Sequence, residues 1–97
     1  MSAYLLAEIQ HIRDPATYQR YVEAARPIVE KHGGTYLLRS DKVSAISGLS
    51  SPERVLLIRF PDQQTLAACF GSKEYKEIAP LREQSTESRA LVIEDEE

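Results

Sequence analysis

The chain has one cysteine, one methionine, two histidines, four glycines and no tryptophan among its 97 residues. A lone Cys69 closes no internal disulfide, so nothing marks an oxidising compartment and the cytoplasm is the expected location. No apolar run approaches the ~20 residues that a membrane span requires. The opening stretch from Met1 to Glu8 lacks a basic region and stops too soon for a secretory signal. Basic residues are also in short supply. The 12 Lys and Arg against 15 Asp and Glu leave a formal charge of −3, whereas nucleic-acid binding needs a positive face to neutralise phosphates. His11 and His32 lie far apart and offer neither His-x-His nor His-x-x-x-His spacing, so no metal site is expected. No Gly-x-Ser-x-Gly elbow accompanies any serine. Gly33-Gly34 stops a helix and matches neither glycine-rich nucleotide pattern. No cofactor is expected from these residues.

What is present suits a small folded domain. Hydrophobic residues make up 42% and charged residues 28% of the chain, a balance too apolar for intrinsic disorder. The length holds one domain over residues 1–97 and leaves no room for two. The acidic end, Glu94-Asp95-Glu96-Glu97, reads as a solvated tail.

Residues 3–12 alternate as a strand, with Leu5, Ala7 and Ile9 on one side and Tyr4, Leu6, Glu8 and Gln10 on the other. Asp14-Pro15 opens a helix, the aspartate as cap and the proline where no N–H is needed. Tyr18, Tyr21, Val22, Ala25, Ile28, Val29 and His32 then form one stripe at spacings of three and four. Pro27 lies within this stretch and should bend or break it. Gly33-Gly34 ends it. Residues 35–39 make a second strand, residues 40–42 a turn, and residues 43–47 an expected short extra strand before the loop at 48–53. Residues 54–60 are the clearest strand, stopped by Pro61-Asp62, which also caps a second helix carrying Leu66, Cys69 and Phe70. Gly71-Ser72 interrupts that helix, and Ser72 caps a further turn with Tyr75 and Ile78 before Pro80. Residues 88–94 form the last strand.

This order predicts an α+β, ferredoxin-like βαββαβ fold, with a four-stranded antiparallel sheet and its helices on one face. Leu5, Ala7, Ile9, Leu56, Ile58, Phe60, Leu91 and Ile93 are expected to face the helices. Tyr4, Leu6, Glu8, Val55, Leu57, Arg59, Ala90 and Val92 then fall on the other face, which is too apolar for water. Pairing with a second copy of the chain is the simplest cover, so a homodimer is expected.

Several segments together form a pattern. They are Asp14-Pro15 with Tyr18 and Tyr21, the run from His32 to Arg39, Pro52-Glu53-Arg54-Val55, Phe60-Pro61, Ser72-Lys73-Glu74-Tyr75 and Pro80-Leu81-Arg82. As an ordered set running from about Tyr4 to Glu94, the chain resembles domain of unknown function 1330, within the dimeric α/β-barrel superfamily. Two places depart from that pattern. Ser40-Asp41 stands where a glycine pair often follows the arginine of the second strand, and Cys69-Phe70 stands where an aromatic pair is common. The resemblance implies a dimer whose two sheets face each other, and no established activity. Relatives in the superfamily include cofactor-free quinone-forming monooxygenases, muconolactone isomerase-like enzymes and haem-degrading enzymes, but shared fold does not carry chemistry across.

Arg39, Arg54 and Arg82 occupy positions that the family pattern usually fills with arginine. A guanidinium fork suits a carboxylate or another planar anion. With Tyr36 and Tyr75, and with His32 at the helix end, they are candidates to line a pocket for a small acidic or aromatic-acid molecule near the sheet and the dimer interface. The structural alternative pairs Arg39 and Arg82 with glutamates such as Glu74 or Glu53. His32 also suits the negative end of the helix dipole, and Cys69 on an apolar helix side reads as core. Glu8 and Arg59 share the second sheet face, as a register-fixing ion pair or as the polar part of a cavity. Two functions stay open: a ligand-binding homodimer, or a cofactor-free monooxygenase, isomerase or decarboxylase acting on a small aromatic or keto acid.

Overall fold

The computed structural model describes residues 1–48 and 51–96; the tip of the expected loop at 49–50 and the end of the acidic tail lie outside them. Seven elements follow in order: β1 (Ala3–Ile12), α1 (Pro15–Lys31), β2 (Thr35–Ser40), β3 (Arg54–Phe60), α2 (Gln63–Phe70), α3 (Lys73–Ser85) and β4 (Thr86–Glu94). The strands form one antiparallel sheet in the order β2-β3-β1-β4. This is the ferredoxin-like topology, in which each helical connection passes over a strand that belongs to the other half.

Each helix begins where a short polar side chain caps it. Asp14 accepts from the Thr17 amide at 3.2 Å and the Thr17 hydroxyl at 2.7 Å, Asp62 from the Thr65 amide at 2.8 Å, and Ser72 from the Tyr75 amide at 3.1 Å. The three amide bonds each satisfy an N–H that the helix itself leaves unpaired. Pro27 and Pro80 lie inside continuous helices. Both prolines are exposed, so the carbonyls they leave free, four residues earlier, can turn to water. The turn after α1 needs its glycines. Gly33 has φ +87°, and a Cβ at Gly34 would lie 2.5 Å from Val29 Cγ1 and 3.0 Å from the Phe60 ring.

The core lies between the helices and one sheet face. Ala3, Ile58 and Phe60 from the strands meet Ile28 and Val29 of α1, Leu66 and Cys69 of α2, and Tyr75 of α3. Two expectations need correction. Residues 43–47 form no strand, and Ile46 is fully exposed; none of the five residues is buried, so the stretch has no packing against the sheet to hold it as a strand. The second correction concerns β4. Tyr4 pairs with Ile93, Leu6 with Leu91, Ala7 with Ala90 and Leu5 with Val92. Leu91 and Ile93 therefore share the open face with Tyr4 and Leu6, while Ala90 and Val92 face the helices. The run Ala-Leu-Val-Ile is apolar at every position, so alternation sets no phase for it, and a slip of one residue exchanges the faces.

With this register the open face carries a row of four leucines, Leu38, Leu57, Leu6 and Leu91, one from each strand. Flanking rows hold Thr35, Arg59, Tyr4 and Ile93 on one side and Ser40, Val55, Glu8 and Arg89 on the other. Leu38 and Leu91 are each half exposed.

Candidate functional site

On the opposite side of the sheet, between the strands, α1 and α3, lies a cavity of about 320 Å³. Its floor explains the space. Ala7 and Ala90 face each other across β1 and β4 beside Leu56, and two methyl side chains in adjacent strands leave a hollow that longer residues would fill. α1 lays Tyr18, Tyr21 and Val22 over this hollow, α3 contributes Tyr75 and Arg82, and the edge strand β2 contributes Tyr36 and Arg39. The volume falls within the range of small-molecule sites.

The wall is mostly apolar, and its charge has one sign. Arg26, Arg39 and Arg82 line it from the helix side, and Arg89 also borders it with its side chain on the open face beside Glu8, while no aspartate or glutamate lines it. Two of the four are engaged. Arg26 donates to Glu30 at 3.2 Å and lies 5.0 Å from the centre of the Tyr36 ring, and Arg89 donates through Nε to Glu8. Arg39 has no hydrogen-bond or ion-pair partner among the described residues. Arg82 makes only long contacts, 3.4 Å from Nη1 to the Tyr75 hydroxyl and 3.6 Å from Nη2 to Glu83, and its Nε is buried without a partner.

The tyrosines form a connected cluster. The rings of Tyr18 and Tyr21 stack with centroids 5.9 Å apart, and Tyr21 meets Tyr75 edge-on at 6.2 Å with their hydroxyls 2.8 Å apart. Phe70 packs its ring 4.9 Å from Tyr75. Burial raises the phenol of Tyr21 well above its ordinary range, raises that of Tyr18, and pushes Tyr36 up to about 12. These three phenols are therefore neutral near pH 7.

Of the residues singled out in the sequence, Tyr36, Tyr75, Arg39 and Arg82 line the cavity; Arg54 and His32 do not. Arg54 donates from Nε and Nη2 to the two carboxylate oxygens of Asp41, at 2.6 and 3.1 Å, and its guanidinium lies 5.4 Å from the centre of the Tyr18 ring. It holds the turn after β2 against the start of β3, and the bond lowers the Asp41 carboxyl below its ordinary 3.8. His32 brings Nδ1 to 2.9 Å from the Ile28 carbonyl, in the last turn of α1. The glutamate partners considered for Arg39 and Arg82 are taken elsewhere, Glu74 by Lys31 at 3.0 Å and Glu53 by His11 at 2.7 Å. Cys69 is fully buried, and desolvation pushes its thiol up to about 11, which leaves it unreactive. Glu8 and Arg59 do share the open face but not a contact. Glu8 pairs with Arg89, and Arg59 donates to the Ser2 hydroxyl at 2.9 Å.

In the sequence Tyr21 belongs to the buried stripe, and nothing there marks Arg26 or Arg89 as part of a site. For Tyr21 a signal existed: a tyrosine on a core-facing stripe needs a partner for its hydroxyl. Among the described residues, no group of three His, Cys, Asp or Glu side chains could hold a metal ion, and no helix is long and apolar enough to cross a membrane.

The sheet order and the helix-side cavity define a ferredoxin-like α+β protein. Solved structures agree on that fold. One is a protein of unknown function from Rhodopseudomonas palustris, with TM-score 0.82 at 15% identity, covering 99% of this chain and 83% of that one. Another is an ethyl tert-butyl ether d (ethd) family protein from Bacillus halodurans, with TM-score 0.70 at 16% identity, covering 99% and 100%. A third is SnoaB, a cofactor-independent oxygenase from Streptomyces nogalater, with TM-score 0.65 at 9% identity, covering 99% and 93%. At these identities the likeness concerns the fold alone. The profile of Domain of unknown function (DUF1330) matches residues 2–95, and the chain belongs to that family. No curated protein has a significant sequence match to it.

Proposed function

We propose that the protein is a cytoplasmic homodimer that binds a small acidic or aromatic-acid molecule in the cavity between its sheet and helices. One observation carries this reading. In a chain with a net charge of −3, the cavity wall holds Arg26, Arg39 and Arg82 and no carboxylate. An apolar hollow with positive charge on its wall suits a ligand with an apolar body and an anionic end. The ligand site lies on the helix side, one sheet thickness away from the face assigned to the partner copy. The leucine row supports the dimer. Leu38, Leu57, Leu6 and Leu91 form a continuous apolar band that two facing sheets would bury together.

A cofactor-free enzyme of monooxygenase, isomerase or decarboxylase type is the alternative, and likeness in fold to a cofactor-independent oxygenase is what favours it. Such chemistry asks for a positioned base in the cavity. Neither histidine lines it, and Glu8 lies on the open face. Binding is the better-supported reading.

Native mass spectrometry of the purified protein, followed by denaturation, tests both parts. A dimer that releases an organic acid is the expected result. A monomer, or a dimer that binds none of a panel of single-ring carboxylic acids, contradicts it.

A further inference from the structure

The cluster of Tyr21, Tyr75 and Arg82 says more about the ligand than the charge of the wall does. Arginine can only donate, so in the 3.4 Å contact the Tyr75 oxygen accepts from Arg82 Nη1. Two phenol hydrogens belong to Tyr21 and Tyr75, and their mutual 2.8 Å bond uses one of them. Whichever way that bond points, one phenolic O–H remains unspent. The Nε–H of Arg82 is a second unspent donor, buried with no partner among the described residues. Elsewhere in the wall the Thr86 hydroxyl gives its hydrogen to the Arg82 carbonyl at 2.8 Å, so Ser88, 3.1 Å from it, donates to Thr86 and has no hydrogen to spare. No carboxylate, side-chain amide or imidazole lines the cavity to act as a strong acceptor.

We infer that Tyr21, Tyr75 and Arg82 form a donor-rich recognition site, selecting an anionic oxygen, foremost a carboxylate, over an amide or an amine of the same shape. This rests on the cavity being a ligand site and adds the chemistry of its selection. A carboxylate would accept the spare phenolic O–H and set its charge against the Arg82 guanidinium. An amide would bring N–H groups with only neutral hydroxyl oxygens to meet and no charge to set against the guanidinium, and an ammonium group would face that guanidinium. The shared hydrogen bond adds a second consequence. Removing either phenol alone frees the remaining hydroxyl, so each single variant still presents one O–H; only loss of both removes it.

Calorimetric titration at pH 7 with benzoate, benzamide and benzylamine tests this, with thermal unfolding as the check on folding. Benzoate is expected to bind at least roughly tenfold more tightly than benzamide, with benzylamine not binding. Tyr21→Phe and Tyr75→Phe are each expected to weaken benzoate by less than about threefold, and the double variant by roughly tenfold or more. Arg82→Gln is expected to bring benzoate down to the level of benzamide. If the double variant fails to fold, the wild-type ligand series and Arg82→Gln still decide. Benzamide binding as tightly as benzoate overturns the carboxylate-selective site and leaves the cavity as a ligand site. Additive losses in the two tyrosine variants overturn the shared-hydroxyl argument. Binding of none of the three probes overturns both this inference and the ligand reading beneath it.

Discussion

The two faces of the sheet are built from the same strands and differ in almost every respect. On the helix side, bulk alternates with absence. Phe60 and Ile58 are packed into the core, while Ala7 and Ala90 leave a hollow overlaid by tyrosines and lined by arginines. On the open side no described element of the same chain lies over a band of four leucines with Tyr4 and Ile93 beside it. A face that lacks one side-chain layer invites a small guest, whereas a flat apolar face needs a large one. The single-residue alternation of β1, β3 and β4 is what lets one sheet do both.

The largest test of this division is a charge in the middle of the leucine row. Leu57→Glu would place an unpaired carboxylate between two packed sheets, and the dimer dissociation constant is expected to rise on the order of a hundredfold or more, measured by sedimentation equilibrium. An unchanged constant would remove the open face from the interface. Next comes the opposite face. Ala7→Leu fills the hollow, so affinity for a single-ring acid is expected to fall by roughly tenfold or more, while folding stability stays within about 1 kcal/mol and the dimer is retained. A loss of dimer with that substitution would show that the faces do not act separately.

A smaller effect is expected from Glu8→Gln. It removes the charge that Arg89 meets at the edge of the leucine row, so dimer affinity should shift only a few-fold. Cavity affinity should move less, because the Glu8 and Arg89 side chains lie on the open face. The smallest effect separates local structure from both faces. The Asp14 and Asp62 carboxyls are lowered from their ordinary 3.8, Asp14 first by the Thr17 hydroxyl and Asp62 first by the Thr65 amide. A carboxyl lowered by folding contributes stability that is present above its unfolded value and lost as pH falls through the folded one. Thermal stability should therefore be insensitive to these groups at neutral pH and should decline below about 4. Asp14→Asn with Asp62→Asn, which keep the capping oxygens, are expected to flatten that decline and leave the neutral-pH value nearly unchanged. A full acid limb in the double variant would assign it to other groups.

Local chemistry made much of this legible from sequence. Asp14-Pro15, Pro61-Asp62 and Ser72 each announced a helix start, and the alternation from Leu5 to Ile9 set the faces of β1, because short-range hydrogen bonds and period-two patterning belong to the residues themselves. The phase of β4 was not legible, since Ala90 to Ile93 are apolar without interruption. Neither was the cavity, which exists because two alanines 83 residues apart are paired; a hollow is a property of neighbours. Tyr36, Tyr75, Arg39 and Arg82 were named as candidates from the family resemblance, and tertiary contact brings them to one wall. The bond between Tyr21 and Tyr75 spans 54 positions, and nothing in either residue's local sequence reports it.

The division between the faces is tested most directly by methyl NMR of the labelled dimer during titration with benzoate and then on dilution. The account predicts that benzoate shifts the methyls of Ala7, Val22, Ala90 and Val92 and leaves those of Leu6, Leu38, Leu57 and Leu91 in place, while dilution moves only the second group. Benzoate shifts centred on the leucine row, or dilution shifts centred on the alanines, would contradict it.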